Sequence, residues 1–251
     1  ERFPVGKFTF APKTETTFAE SGVRGQIALI IDDFGYMHNR ATEGFMNLRE
    51  SLTFSVIPGH RFSQILAEEA DRSGHEVIVH MPMEPENYNG RDEAEYILRF
   101  GMEEEEVLSR TRRAFLDLPE AVGMNNHEGS LATLDTVMLQ TVARVLLERG
   151  KYFVDSYTTP NTKAEEVMRT NGVPTLGRQV FLDNVDDPAY IRRQLSRLAT
   201  MAERNGNAIG IGHVGSSHLN TLEVLQEEIP LLKGRGFEFV LVSELISKTI
   251  N

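Results

Sequence analysis

Short apolar runs alternate with longer amphipathic runs along most of the chain. The short runs are rich in β-branched residues and almost continuous in hydrophobicity, which is typical of strands buried on both faces of a parallel sheet. They occupy residues 27–35, 52–58, 75–83, 121–130, 152–160, 174–183, 207–215 and 237–245. The long runs carry apolar residues at spacings of three and four, which predicts helices over residues 62–74, 103–118, 134–150, 162–172, 188–206 and 219–236.

Eight predicted strands that alternate with helices indicate an α/β fold, either a (β/α) barrel or a doubly wound open sheet. Residues 1–24 lack sustained periodicity, and we interpret them as an N-terminal arm or linker end before a single domain over residues 25–251. The polar stretch 84–96 predicts a loop over one face of that domain. Neither a G-x-G-x-x-G after the first strand nor a G-x-x-x-x-G-K-[ST] occurs, so dinucleotide-binding and P-loop sites lack their main support.

Composition narrows the function classes. Apolar residues make up 40% of the 251 residues and charged residues 25%, an ordinary balance for a globular protein. The formal net charge of −11 repels nucleic acid backbones, so we expect no nucleic-acid partner. The absence of cysteine excludes disulfides, thiolate zinc ligands and cysteine nucleophiles. No run approaches the roughly 18–20 apolar residues of a membrane span, so none is expected in this sequence.

Candidate chemistry lies where the apolar runs end. Asp32 and Asp33 end the first run, His80 the third, His127 the fourth and His213 the seventh. The C-terminal ends of parallel strands meet at one mouth of a barrel or open sheet, so we predict a functional site there. Further polar side chains at these ends are candidates to contact substrate or to support the site, namely Glu84, Asn126, Asp155 and Arg178.

The adjacent carboxylates of Asp32 and Asp33 repel each other, and a cation relieves that repulsion. Successive side chains on a strand point to opposite sides, although a turn can re-aim them, so one aspartate can bind metal while the other stays free as a base. An aspartate oxygen with the imidazoles of His80 and His127 suits zinc or a similar divalent first-row metal. The imidazole of His213, after the small residues of IGIG, is placed to serve as a general acid.

Asp155 has three open interpretations: a turn residue, an orienting residue beside the site, or a substrate contact. The remaining histidines fall in loops or at the starts of elements and are assigned no role (His38, His60, His75 and His218). No G-x-S-x-G elbow occurs, so a serine hydrolase is poorly supported.

The motifs IALIIDDFG, GHEVIVHMPMEP, GMNNHEGS, YFVDS, VFLD and AIGIGH, in this order, resemble the divergent polysaccharide deacetylases of bacteria, distant relatives of the NodB-type carbohydrate esterases. The resemblance spans about residues 25–248. It implies a distorted (β/α) barrel of seven or eight strands. By position it also implies that Asp32 is the catalytic base, that Asp33 and His80 bind the metal, and that His213 is the general acid.

The chain departs from the better-known relatives at one ligand. Those relatives carry a second histidine four residues after the first, where this sequence has Glu84. Either Glu84 ligates or His127 supplies the missing imidazole. We prefer His127, because Pro82 and the polar loop swing Glu84 outward.

The resemblance implies a metal-dependent, most simply zinc-dependent, deacetylase acting on an N- or O-acetylated glycan, and an exported or periplasmic location. Two alternatives stay open: a metal-dependent amidohydrolase with a small-molecule substrate, and a non-catalytic glycan- or envelope-binding protein. The second would use aromatic side chains as sugar platforms, with Phe34, Tyr36, Tyr88 and Tyr157 as candidates.

Overall fold

The structure is a computed structural model that describes residues 22–88, 93–215 and 219–250. Its centre is a nine-stranded sheet in which every pairing is parallel. The strands are β1 (Gly25–Phe34), β2 (Thr53–Val56), β3 (Glu76–Met83), β4 (Gly123–Glu128), β5 (Tyr152–Asp155), β6 (Thr175–Gly177), β7 (Val180–Phe181), β8 (Asn207–His213) and β9 (Phe237–Phe239).

The helices that connect and cover these strands are α1 (Arg40–Met46), α2 (Ser63–Arg72), α3 (Glu104–Asp117), α4 (Thr136–Glu148), α5 (Ala164–Thr170), α6 (Pro188–Asn205), α7 (Asn220–Gly234) and α8 (Val242–Ile250). Each of the six predicted helices forms, as α2 to α7. Local signals set their starts: the Asp135 carboxylate accepts the first N–H groups of α4, and Asp187 followed by Pro188 begins α6. Among the described residues, no helix is long and apolar enough to cross a membrane.

The sheet is a curled, incompletely closed barrel. Its strand order is β6-β5-β4-β3-β2-β1-β8-β7, and β9 pairs with the first residues of β1. The seam lies between β6 and β7, which are neighbours in sequence but end opposite edges of the sheet. The predicted α/β fold of the distorted barrel type is thereby confirmed.

Side-chain alternation along the strands divides the core between the two faces of the sheet. Odd-numbered residues of β1, such as Leu29, pack in the large cluster under the surrounding helices. Even-numbered residues, such as Ile30, join a smaller inner cluster with residues from β3, β5 and β8. Helix α8 closes this inner cluster with Val242, Leu245 and Ile246.

Two predicted strands differ from the structure. The sixth run, residues 174–183, forms the two short strands β6 and β7 rather than one. The eighth run, residues 237–245, is a strand only over Phe237–Phe239, and α8 begins at Val242. Two features favour a helix over a strand there. The Glu244 carboxylate accepts the Leu241 N–H at 2.9 Å, which is half of a capping box. The apolar residues Val242, Leu245 and Ile246 also have helical spacing.

The sequence prediction also lacked α1, a seven-residue helix that begins at a reciprocal capping box between Asn39 and Thr42. The predicted arm over residues 1–24 lies outside the described residues except for 22–24, which form neither helix nor strand. The predicted loop over residues 84–96 is described apart from 89–92, and His218 also lies outside the described residues.

Candidate metal centre and catalytic site

A bulge at the end of β1 brings both neighbouring aspartates to the mouth of the barrel. The pairing of β1 with β2 shifts between Ile31 and Phe34, and Asp33 has a left-handed backbone with φ 71°. Asp32 follows Ile30 on the inner face, and the extra residue turns Asp33 toward the same opening instead of into the outer core. Phe34 then returns to the outer core, stacked on Phe54.

Three candidate ligand atoms converge at this mouth. The Oδ1 atom of Asp33 lies 3.4 Å from Nε2 of His80 and 3.3 Å from Nδ1 of His127, and the two ring nitrogens are 3.0 Å apart. The three side chains form a group that can hold a metal ion, with all ligand atoms within 4.8 Å of one another. The sequence analysis had selected the same three residues.

The hydrogen bonds around His80 fix which nitrogen faces the group. Its Nδ1 lies 2.7 Å from the amide oxygen of Asn125, so Nδ1 carries the proton and Nε2 presents its lone pair to Asp33 and His127. Ser55 donates to the same amide oxygen at 2.6 Å, and the Asn125 amide nitrogen donates to Asp32 at 3.0 Å. One buried asparagine therefore orients both the imidazole and the carboxylate.

The donor set fits a divalent cation. Asp33 Oδ1 is buried and accepts no hydrogen bond, and the lone pair of His80 Nε2 faces it. Burial favours the neutral acid, but a protonated ring of His127 or His80 beside this oxygen outweighs burial and holds the pKa of Asp33 well below its ordinary value. A carboxylate oxygen and two imidazole nitrogens that converge without a shared donor are the arrangement of a three-ligand metal site with positions left open.

Asp32 is in a different environment from its neighbour. The residue is 1% exposed, and its Oδ2 atom is 3.6 Å from His80 Nε2. Burial raises the pKa of Asp32, while His80 and His213 act in the opposite direction. Since a raised pKa makes a carboxylate a better proton acceptor, Asp32 is suited to act as a base beside the metal group.

His213, at the end of β8, forms a dyad with Asp183. Its Nδ1 lies 2.7 Å from Asp183 Oδ1, and its backbone N–H donates to Oδ2 of the same carboxylate at 2.7 Å. Thr221 donates to that Oδ2 as well, at 2.8 Å. Burial lowers the pKa of His213, but Asp183, helped by Asp32 and Asp33, overcomes this effect and raises it to about 9. The ring is therefore protonated at neutral pH and able to give up a proton from Nε2.

The remaining predicted site residues mostly support the mouth. The Asp155 carboxylate accepts hydrogen bonds from Tyr157 N, Thr162 Oγ1 and Glu165 N, which favours its interpretation as a turn residue at the start of α5. The side chain of Asn126 ties β4 to β5, because its oxygen accepts the Ser156 N–H at 2.9 Å.

Glu84 is not part of the candidate metal group. Its carboxylate accepts the Phe100 N–H at 2.9 Å, which directs it along the loop that follows β3. Arg178 bonds the backbone oxygens of Ser156 and Tyr157 and lies over the Phe181 ring at 3.6 Å from the ring centroid. Burial lowers the pKa of Arg178 to about 10, although Asp155 and Asp32 oppose the shift, so the guanidinium stays charged at neutral pH.

Two clefts open beside the metal group, on either side of Tyr36. The larger, about 550 Å³, is lined by Asp33, Met37 and Val214 as well as Tyr36. The smaller, about 220 Å³, contains His127 and Glu93. A substrate that enters either cleft can therefore reach a candidate ligand.

Sequence reasoning missed the groups that support the site. Asn125 and Asp183 lie near the ends of the fourth and sixth apolar runs but were assigned no role, and Ser55, Glu93 and His60 carried no signal as single residues. The run of polar residues in NNHE was the available signal for Asn125, because an asparagine inside an otherwise buried strand needs partners. Phe34 was wrong as a candidate sugar platform, since it is fully buried in the outer core.

Comparisons with known proteins find relatives that match most of the chain. The chain is 34% identical over 227 residues to an uncharacterized protein, YibQ, of Escherichia coli K12, covering 90% of this chain and 69% of YibQ. An uncharacterized protein of Agrobacterium tumefaciens C58, ATU2773, has the same fold, with a TM-score of 0.82, 24% identity, and coverage of 90% of this chain and 94% of that one.

A more distant structure is the catalytic domain of a peptidoglycan N-acetylglucosamine deacetylase from Eubacterium rectale, which shares the fold with a TM-score of 0.55 and 14% identity over 87% of this chain and 88% of that one. A model of the divergent polysaccharide deacetylase family matches residues 29–246, nearly the whole sheet and its helices. The chain therefore belongs to the divergent polysaccharide deacetylase family.

Proposed function

We propose that this protein is a metal-dependent hydrolase that removes acetyl groups from a glycan. The observation that carries the proposal is the convergence of Asp33, His80 and His127 at the strand ends that also carry the buried carboxylate of Asp32 and the imidazole of His213. Family membership and the fold shared with a peptidoglycan deacetylase support an acetylated sugar as the substrate class.

The metal would be held by Asp33 Oδ1, His80 Nε2 and His127 Nδ1. One oxygen and two imidazole nitrogens favour zinc or a similar first-row ion. The chemistry that such an ion supplies is polarisation of an acyl carbonyl and a lower pKa of water at the same site. The chain's own residues then have to remove a proton from the attacking water and donate a proton to the leaving group.

Asp32 is placed to accept the proton of the attacking water. Its burial and its hydrogen bond from Asn125 hold the carboxylate in one orientation beside His80. Water adds to the acyl carbon as its proton passes to Asp32: a C–O bond forms, and the π electron pair of the carbonyl moves onto the acyl oxygen. The negative charge that develops on that oxygen would be stabilised by a metal ion held by the three ligands.

His213, the register partner of Asp32 on the neighbouring strand β8, is placed to complete the reaction. Asp183 holds the Nδ1–H of the ring, so Nε2 is the atom that donates a proton to the leaving nitrogen or oxygen. The C–N or C–O bond to the sugar then breaks, and the products are acetate and the free amine or hydroxyl. Asp32 lies near the end of β1 and His213 ends β8. Each of the two proton transfers is therefore assigned to a different residue.

Metal analysis of the purified protein, combined with acetate release from acetylated glycan oligomers, tests the proposal. We expect about one ion per chain and acetate release that a chelator abolishes and added metal restores. Bound metal without acetate release from any acetylated sugar would overturn the deacetylase assignment. Oligosaccharide binding in that case would favour the non-catalytic glycan-binding alternative, whereas turnover of acylated small molecules would favour the amidohydrolase.

A further inference from the structure

A second group of polar side chains lies on the far side of His127 from the candidate metal centre. This outer cluster consists of Tyr36, His60 and Glu93. The Glu93 side chain is only 6% exposed, and its Oε1 atom lies 3.6 Å from Nε2 of His60 and 3.8 Å from Nε2 of His127. Tyr36 donates its hydroxyl proton to the same oxygen.

The two nitrogens of His127 thus face two different groups. Nδ1 lies 3.3 Å from Asp33 Oδ1 inside the candidate metal group, while Nε2 faces Glu93. A neutral imidazole that offers the Nδ1 lone pair to a metal carries its proton on Nε2. Ligating histidines in proteins commonly donate that proton to a carboxylate, which fixes the ring and strengthens the ligand.

The backbone holds Glu93 in this inward position. Glu93 has a left-handed φ of 61°, a conformation that is unfavourable for a non-glycine residue. Its carbonyl oxygen accepts the N–H groups of Tyr96 and Ile97, both at 2.9 Å. These two hydrogen bonds fix the backbone of Glu93 at the start of the turn that follows. Burial of a glutamate carboxylate costs free energy unless cationic groups or hydrogen-bond donors surround it.

We propose that Glu93 is a positioning residue that orients His127 for metal binding by accepting the proton on Nε2. The inference rests on the proposed function, because it requires His127 to be a metal ligand. The separation of 3.8 Å is longer than a hydrogen bond, so the two groups must draw together by about 1 Å when the ring ligates. Glu93 belongs to the loop that follows β3, and this contact couples that loop to the metal centre.

The substitution Glu93→Gln tests the role of the charge while keeping the shape of the side chain. The matched control is Glu95→Gln, two residues further on, where the side chain is 81% exposed. Zinc affinity is measured in the full chain by competition with a chromophoric chelator. We expect a loss of about 10–100-fold for Glu93→Gln and no change for Glu95→Gln.

A spectroscopic measurement separates positioning from a general loosening of the loop. In the cobalt-substituted protein, each ligating histidine gives a paramagnetically shifted, exchangeable N–H resonance. Glu93→Gln is expected to shift the His127 Nε2–H resonance, or to speed its exchange with solvent, and to leave the His80 Nδ1–H resonance in place, because that proton is held by Asn125.

The outcomes distinguish this inference from the proposed function. If the wild-type chain binds neither zinc nor cobalt, the proposed metal site and this role of Glu93 both fail. If the wild-type chain binds metal and Glu93→Gln matches it in affinity and in both resonances, only the role of Glu93 is overturned. A shift of both resonances by equal amounts would also contradict it, since that is the signature of a general structural change.

Discussion

Two adjacent aspartates in this chain are held in environments that differ enough to divide the chemistry between them. Asp33 faces two imidazoles and has a depressed pKa, whereas Asp32 is buried beside Asn125 and has a raised pKa. The lowered pKa keeps Asp33 ionised as a candidate metal ligand, and the raised pKa makes Asp32 a more effective base. The split arises from where the side chains point, since the two residues are chemically identical.

Isosteric amides distinguish the two roles. Asp32→Asn removes the proton acceptor and keeps all three candidate ligands, so we expect normal metal content and a fall in kcat of about 10²–10⁴-fold. Asp33→Asn replaces a ligating carboxylate, so we expect metal content itself to fall. Metal analysis and acetate release on the same preparations check both results. Loss of metal in Asp32→Asn with retention in Asp33→Asn would reverse the assignment.

We expect the protonation state of His213 to control the alkaline side of the kcat–pH profile. Its raised pKa, about 9, means that the acid form is present at neutral pH and is lost as the pH rises through that value. Activity should therefore decline on the alkaline side. Asp183→Asn removes the charge that raises the pKa of His213, so this decline should move to lower pH. A kcat–pH profile of both proteins checks it, and an unmoved alkaline limb in Asp183→Asn would show that another group controls it.

Residue types and their positions at strand ends were enough to predict which three side chains converge in the candidate metal group. Asp33, His80 and His127 all end apolar runs, and the ends of parallel strands share one mouth. The supporting groups could not be found in this way, because Asp183 matters only through its contact with His213, 30 residues away along the chain. Their roles depend on pairings that form only in the folded protein.

At the scale of elements, the bulge at the end of β1 makes the site possible. The chain turns through Asp33 at φ 71° and Gly35 at φ 123° before α1 begins. A Cβ atom at Gly35 would lie 2.9 Å from the Ile57 carbonyl oxygen and 2.9 Å from Ser63 Oγ. Both the backbone conformation and the space at this position therefore exclude a larger residue.

Gly35→Ala should destabilise the protein by more than about 1 kcal/mol and should also weaken metal binding, because the turn carries Asp33. Gly74→Ala is the matched control: Gly74 also has a positive φ, 83°, but its added Cβ would meet nothing within 4 Å. Urea unfolding and zinc titration of the two variants give the comparison. Equal losses of stability, with unchanged metal affinity in both, would show that the packing around Gly35 does not support the site.

Helix α8 shows why the pattern of apolar residues alone was ambiguous at the C-terminal end. The residues FEFVLVSEL are rich in β-branched and aromatic types and predicted one strand. Position Glu244 caps the backbone of Leu241, and the helix that follows buries one face inside the barrel. Short apolar runs fit either element, and tertiary packing decides between them.

At the scale of the whole molecule, apolar side chains fill the interior of the barrel, and the site lies at the C-terminal ends of the strands. Leu245 of α8 is 2% exposed and packs in the inner cluster with residues from the first, third, fifth and eighth strands. Because this cluster lies under the strand ends that carry Asp32, His80 and His213, its packing sets the spacing of the site.

Leu245→Ala should cost about 2–5 kcal/mol in the free energy of unfolding, the range for a large-to-small change in a core. Leu231→Ala is the control, since Leu231 on α7 is 60% exposed and its truncation should stay within about 0.5 kcal/mol. Chemical denaturation followed by circular dichroism measures both. A cost for Leu245→Ala as small as that of the control would mean that α8 does not support the barrel.

The alternation of buried runs and amphipathic runs predicted most of this architecture, because each βα unit is encoded locally. The seam between β6 and β7 was not predicted, since closure depends on how strands of two and three residues meet across the sheet.

The most direct test of the central claim is a crystal structure of the protein grown with zinc, with anomalous diffraction recorded on both sides of the zinc edge. The account predicts one strong peak at the mouth of the barrel, about 2.0–2.2 Å from Asp33 Oδ1, His80 Nε2 and His127 Nδ1. A peak bound elsewhere, or none at these three atoms in zinc-saturated crystals, would contradict it.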